Sequence, residues 1–171
     1  MDEVEIVDYD PRWPGLFDRE AQRLRAVLDP SLIVGLEHFG STAIAGLSAK
    51  PIIDILIAVR SLADARASFV EALRKLDYLY WAENPKQDRM FFVKGMPPFG
   101  SRRSHHVHVT EPAGEMWQRL AFRDYLRAHP EERETYERLK KRLAAEHRTD
   151  REAYTSAKSA YVEAVMRKVI P

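Results

Sequence analysis

The sequence predicts an α/β chain of the α+β kind: a mixed β-sheet with flanking helices, then a helical C-terminal part. Three observations predict it. Short apolar and β-branched runs, bounded by turn formers, recur between residues 32 and 111. From Glu115 to Lys168 the pattern becomes almost continuously helical. Between them, "PIIDILIAV" sets one carboxylate, Asp54, inside a run that otherwise reads as a buried strand. We expect a single domain over 1–171, with an α/β sheet core at 1–112 and a helical extension at 113–171 packed on it.

The elements follow in order. "VEIVDY" reads as a short edge strand or a surface arm. "DPRWPGLFDREAQRLRAVL" opens a helix: Asp10 can cap it, Pro11 suits its first turn, and Pro14 delays the regular part. Phe17, Leu24 and Leu28 give that helix an apolar stripe. Leu32 to Phe39 reads as the first strand. "GSTAIAGLSAK" is a turn with one or two helical turns, and Pro51 is tolerated only at the start of a second strand, Ile52 to Val59. Ser61 and Asp64 form an S-x-x-D cap for a helix running to about Leu76. "YLYW" and "RMFFVK" (Arg89 to Lys94) are the third and fourth strands, "GMPPFGSRRS" a loop, and "HHVHVTE" the fifth strand. Three helices are expected next, at about 115–128, 130–146 and 150–168. Pro130 with Glu131 and Glu132 marks the second, and a Thr149–Glu152 capping box the third. In the last helix Tyr154, Ala157, Tyr161 and Val165 share a face.

Composition narrows the function. With 27 Lys plus Arg against 26 Asp plus Glu, the chain has no global pull toward nucleic acid or membrane, so any basic site is local. The helical tail is charge-mixed, without the positive stripe of a nucleic-acid binder; its Lys and Arg residues read as a solvated face. The chain has no cysteine, which excludes thiol catalysis and Cys-based zinc sites. The acidic N-terminal stretch lacks an apolar signal core, and "ILIAV" is too short to span a bilayer. The expectation is a cytoplasmic protein with a small-molecule partner and no membrane; its oligomeric state stays open.

The candidate site gathers around Asp54. Strand alternation puts Asp54 on one face with Ile52, Leu56 and Ala58, and Ile53, Ile55, Ile57 and Val59 on the other. A carboxylate there needs a partner. Either it ties down the preceding loop by pairing with Lys50 or an arginine, or it holds a ligand or metal. Gly40, Ser41 and Thr42 form a turn that permits close backbone approach and offers hydroxyls and N–H groups to an anion. In "HHVHV", His106 and His108 share a strand face, a spacing that can set two imidazoles on one metal. His38 ends the first strand. If the first, second and fifth strands are neighbours, His38, Asp54, His106 and His108 can converge as a metal set, suited to zinc, manganese, nickel or iron more than to a magnesium cage. Lys50, Arg89, Lys94 and Arg103 can neutralise phosphate oxygens, with Arg102 in the same loop. His105, His129 and His147 read as structural.

Three blocks in this order, "YDPRW", "EHFGSTAIAGLSAKPIIDILIAV" and "HHVHV", resemble the GrpB family (UPF0157) of bacterial proteins, over nearly the whole chain. That family is similar in fold to the nucleotidyltransferases. The resemblance implies a nucleotidyltransferase-like sheet, a Gly40-Ser41 turn that holds phosphates, and carboxylates that bind divalent metal. The wider superfamily carries an acidic pair, D-x-D, and a third acid on a later strand. Here only Asp54 of the pair is present; Leu56 or Ile52, depending on register, replaces the other. His106 or His108 stands where the third acid would be.

The expected function is a nucleotidyltransferase-like enzyme acting on a nucleotide or other phosphate-bearing small molecule. Asp54, His106 and His108 would be its catalytic residues, with a divalent metal (Mg, Mn or Zn) as cofactor and a nucleoside triphosphate as a candidate substrate. The alternatives are a non-catalytic ligand-binding protein on the same fold, or a His/Asp metal-dependent hydrolase.

Overall fold

The computed structural model describes residues 3–170. Its centre is a five-stranded mixed sheet in the order β1-β2-β5-β4-β3: β1 (Ile33–Phe39), β2 (Ile53–Val59), β3 (Tyr78–Tyr80), β4 (Arg89–Lys94) and β5 (His105–Thr110). β2 and β5 run parallel; the other pairs are antiparallel. The expected adjacency of the first, second and fifth strands is therefore present. β4 matches its expected bounds, and β1 and β2 each begin one residue later than expected.

Two helices cover one face, α1 (Trp13–Val27) and α2 (Leu62–Arg74). Leu24 of α1 and Ala65, Phe69 and Leu73 of α2 pack on Ile53, Ile55, Ile57 and Val59 of β2, with Val107 and Val109 of β5. Burying such side chains is worth about 1.5–3 kcal/mol each, which fixes the strand parity. The Ser61 hydroxyl accepts from the Asp64 N–H, as the capping pattern predicts. At α1, Asp10 instead accepts from Arg12 N, so Pro11 lies outside the helix and Pro14 stands in its first turn.

The rest of the chain packs on the opposite face and beside the turn after β1. The helix expected at 115–128 is broken at Arg119 into α3 (Glu115–Gln118) and α4 (Leu120–Ala128). Trp117 of α3 lies over Gly35; a Cβ at Gly35 would come within 2.8 Å of the indole. Arg123 of α4 donates to the Glu37 carboxylate and the His38 carbonyl of β1, both at 2.8 Å. α5 (Pro130–Glu146) keeps its expected bounds, and α6 spans Arg151–Val169. The cap of α6 is Asp150, accepting from the Ala153 N–H, not Thr149. A carboxylate one residue nearer the helix competes successfully with the hydroxyl. Tyr136 of α5 and Tyr161 of α6 stack at 5.2 Å, and Tyr136 packs with Ile44 and Leu47 of the turn. The N-terminal arm is tied down by a bridge from Val7 to Ala49, and by the buried Val4, whose N–H bonds the Arg148 carbonyl. No helix among the described residues is long and apolar enough to cross a membrane.

Candidate functional site

Register decides which polar groups meet. Asp54 of β2 stands opposite Phe39 of β1 and His106 of β5. His108 pairs with Leu56 on β2 and with Phe91 on β4. Asp54, His106, His108, Phe39 and Phe91 therefore share one face. His38 pairs with Ile55 and lies on the other.

The trio is tight. His108 Nε2 lies 3.2 Å from Asp54 Oδ1, and His106 Nδ1 lies 3.2 Å from the same oxygen. One donor atom from each of the three falls within 4.8 Å of the others. At 3.2 Å these separations sit at the long end of N–H···O hydrogen bonding, and His108 with Asp54 makes such a bond. They match neighbouring ligands on a tetrahedral ion, about 3.3 Å apart for bonds of about 2.0–2.1 Å. The rings are held by aromatic edges: Phe91 is 5.0 Å from His106 and 4.9 Å from His108, and Phe39 is 5.7 Å from His108. His106 Nε2 is buried and has no hydrogen-bond partner.

Electrostatics keep the trio ready for a cation. Burial pushes the Asp54 carboxyl up, but the His106 and His108 imidazoles hold it well below the usual carboxylate range. Burial, the largest influence on His106, pushes its pKa down against the attraction of Asp54. A neutral imidazole keeps a lone pair for a metal.

Gly40 explains the turn. Its φ is +70°, and a Cβ there would come within 2.7 Å of Asp54 Oδ2. Glycine lets the backbone close against the carboxylate. Beyond it, Ser41–Ala43 make a single 3-10 turn. This is the turn with one helical turn that the sequence predicts. Ser41 touches Tyr136 of α5. The Thr42 hydroxyl, buried, bonds His38 Nε2 at 2.9 Å and so points away from the trio.

The structure thus joins three of the four expected metal residues and separates His38. That ring stacks on Phe17 at 4.7 Å, and burial holds its pKa at about 4. Lys94 lies on the same far face, 2.8 Å from Glu20 of α1. The Arg89 guanidinium is engaged by Asp88 at 2.9 Å and Glu115 at 3.8 Å rather than presented to a ligand. Lys50 and Arg103 line an open groove of about 1220 Å³, with Ile52, Arg102, Arg148 and Arg151. Glu3 and Glu5 of the N-terminal arm reach into it, pairing with Arg148 at 3.2 Å and Arg102 at 2.7 Å.

Sequence reasoning missed the lysines of the tail, expected on a solvated face. Lys140 of α5 is 1% exposed and donates to the Ser48 carbonyl; Lys158 of α6 is half-buried. The signal was present: Lys158 follows Tyr154 by one helical turn, beside the apolar stripe.

Comparison with known proteins decides the family. The model described as GrpB protein matches residues 3–168. The chain belongs to the GrpB family. A UPF0157 protein of Pseudomonas aeruginosa is 46% identical over 170 residues, covering 99% of this chain and 69% of that protein. The crystal structure of the conserved protein GrpB from Enterococcus faecalis superposes with a TM-score of 0.85 at 32% identity, covering 96% of each chain. A Mycolicibacterium paratuberculosis protein named dephospho-CoA kinase is 30% identical over 190 residues, covering 96% of this chain and 46% of that protein.

Proposed function

We propose that this GrpB-family chain is a metal-dependent enzyme acting on a nucleotide or other phosphate-bearing small molecule. The observation that carries this reading is the Asp54–His106–His108 trio, whose donor atoms lie within 4.8 Å of one another. A carboxylate and two imidazoles fit one divalent transition ion, zinc or manganese, better than a magnesium pair held by carboxylates. Such an ion would supply Lewis acidity to a phosphoryl oxygen.

The chain's own residues do the rest. Phe39 and Phe91 fix the imidazoles, and Gly40 admits the backbone beside Asp54. The groove lined by Ile52, Lys50, Arg102, Arg103, Arg148 and Arg151 supplies cationic side chains for anionic oxygens. The mycobacterial relative named dephospho-CoA kinase, of which this chain spans 46%, is a reason to include phosphate-bearing small molecules in the test.

Nucleotidyl transfer with release of pyrophosphate is the first reaction to test. The donor set, with one carboxylate on β2, favours single-ion hydrolysis as a second reading. A panel of nucleoside triphosphates, each with hydroxyl and amine acceptors, and of phosphate esters, assayed with Zn²⁺, Mn²⁺ or Mg²⁺, separates them by the products: pyrophosphate with a nucleotidylated acceptor for transfer, inorganic phosphate with the free alcohol for hydrolysis of an ester. Asp54→Ala is expected to lower turnover by about 100-fold or more. Turnover unchanged by Asp54→Ala and His108→Ala would end both readings.

A further inference from the structure

The face that carries Asp54 continues past the trio onto the two outer strands. Leu79 of β3 stands opposite Val93 of β4, which stands opposite His106, and Phe91 stands opposite His108. Trp81 follows β3, and its N–H bonds the Phe91 carbonyl at 3.0 Å, so it extends the same ladder by one residue. Strand alternation therefore puts Leu79, Trp81, Phe91 and Val93 on the side of His106 and His108. The rings make the link direct. The Trp81 and Phe91 centroids are 6.2 Å apart with the planes crossing at 78°, and Phe91 lies 4.9 Å from His108 and 5.0 Å from His106.

The two sides of this hairpin are treated differently. On one side α2 covers it: Tyr78, Met90 and Phe92 are buried and pack with Phe69 and Leu73. On the other, Leu79, Phe91 and Val93 stay half-buried, and the Trp81 indole is 48% exposed. β3 is also the edge of the sheet. An edge strand is ordinarily blunted by charge or proline, not extended by an open indole. A lone exposed apolar side chain is ordinary; an open aromatic surface continuous with a few polar groups is the composition of a ligand site. Trp81 stands two strands from His108, about 10 Å across the sheet. A sugar can bridge a flat ring on the indole and a phosphoryl group at the trio. Every nucleobase has a π-face that stacks on such a ring.

We propose that Trp81, backed by Phe91, is the stacking platform for the base of a nucleotide whose phosphate lies at the Asp54–His106–His108 trio. This rests on the reading above for the phosphate, and it narrows the substrate class to nucleotides. Trp81 sets specificity: it holds the part of the substrate that does not react.

The test is calorimetric titration of the full chain, in excess Mn²⁺, with ATP, GTP, CTP and UTP, and with inorganic tripolyphosphate, which has the phosphates but no base. The native chain is expected to bind at least one of the four about tenfold or more tighter than tripolyphosphate. Trp81→Ala is expected to remove that preference and to leave the affinity for tripolyphosphate unchanged. Trp81→Phe is expected to keep most of it. No preference for any nucleoside triphosphate in the native chain, or the same preference in folded Trp81→Ala, would overturn the platform. So would a native chain that sediments as a dimer and a Trp81→Ala chain that sediments as a monomer, since a second copy would then cover the indole. A Trp81-dependent preference without turnover of any of the four would keep the platform and remove the enzyme reading. Turnover of a phosphate ester that has no ring, unchanged by Trp81→Ala and without any base preference, would do the reverse.

Discussion

The two faces of the sheet use the same residue types to opposite ends. Under α1, Glu20, Lys94 and His38 each have a partner within the chain. Glu20 accepts from Lys94 at 2.8 Å and from Tyr78 at 2.9 Å, and His38 bonds Thr42 at 2.9 Å. On the other face, Asp54 is shared by two imidazoles, and His106 Nε2 is buried. The first face pairs these groups; the second pairs Glu37 with Arg123 and Arg89 with Asp88, yet leaves His106 Nε2 without a partner. Residue type does not separate structure from function here. Strand parity and the number of partners do.

This comparison can be broken or sharpened by mutation, beginning with the largest effect. Glu20→Ala leaves Lys94 unpaired in a buried setting and is expected to cost about 3–5 kcal/mol in urea unfolding, with metal content unchanged. His38 comes next. Burial, opposed by Asp54 and reinforced by Arg127 and Arg123, lowers its pKa from 6.5 to about 4. The unfolded chain binds that proton first as pH falls, so this contribution to stability is full above 6.5 and is lost between 6.5 and 4. Its size is on the order of 3 kcal/mol, and His38→Gln is expected to flatten that part of the pH–stability curve. Gly40→Ala, with its φ of +70° and the 2.7 Å approach to Asp54 Oδ2, is expected to cost about 1–3 kcal/mol and to weaken metal binding.

Much of the fold was legible. The "RMFFVK" strand and the helix opened by Pro130 keep their expected bounds, because an apolar run and a first-turn proline followed by carboxylates are local signals. The closeness of Asp54 to the H-x-H pair was legible only under the condition that the second and fifth strands are neighbours. Their pairing joins segments separated by α2, β3 and β4, and no local pattern encodes it. His38 shows the same limit. Alternation gives parity within a strand, but only the antiparallel register with Ile55 sets its face relative to Asp54. Lys140 and Lys158 were hidden for another reason. A mixed charge pattern reads as solvated until the docking face of the helix is known, and a long lysine stem buries as readily as it extends.

The central claim is that His106 and His108 hold a divalent ion with Asp54, while the histidines of the other face do not. Elemental analysis and zinc titration of the full chain, prepared without chelators, test it most directly. His106→Ala/His108→Ala is to be compared with His38→Ala/His105→Ala. The account predicts about one ion per native chain, loss of that ion in the first pair, and its retention in the second. An ion retained without His106 and His108, or lost with His38 and His105 in a folded chain, would contradict it.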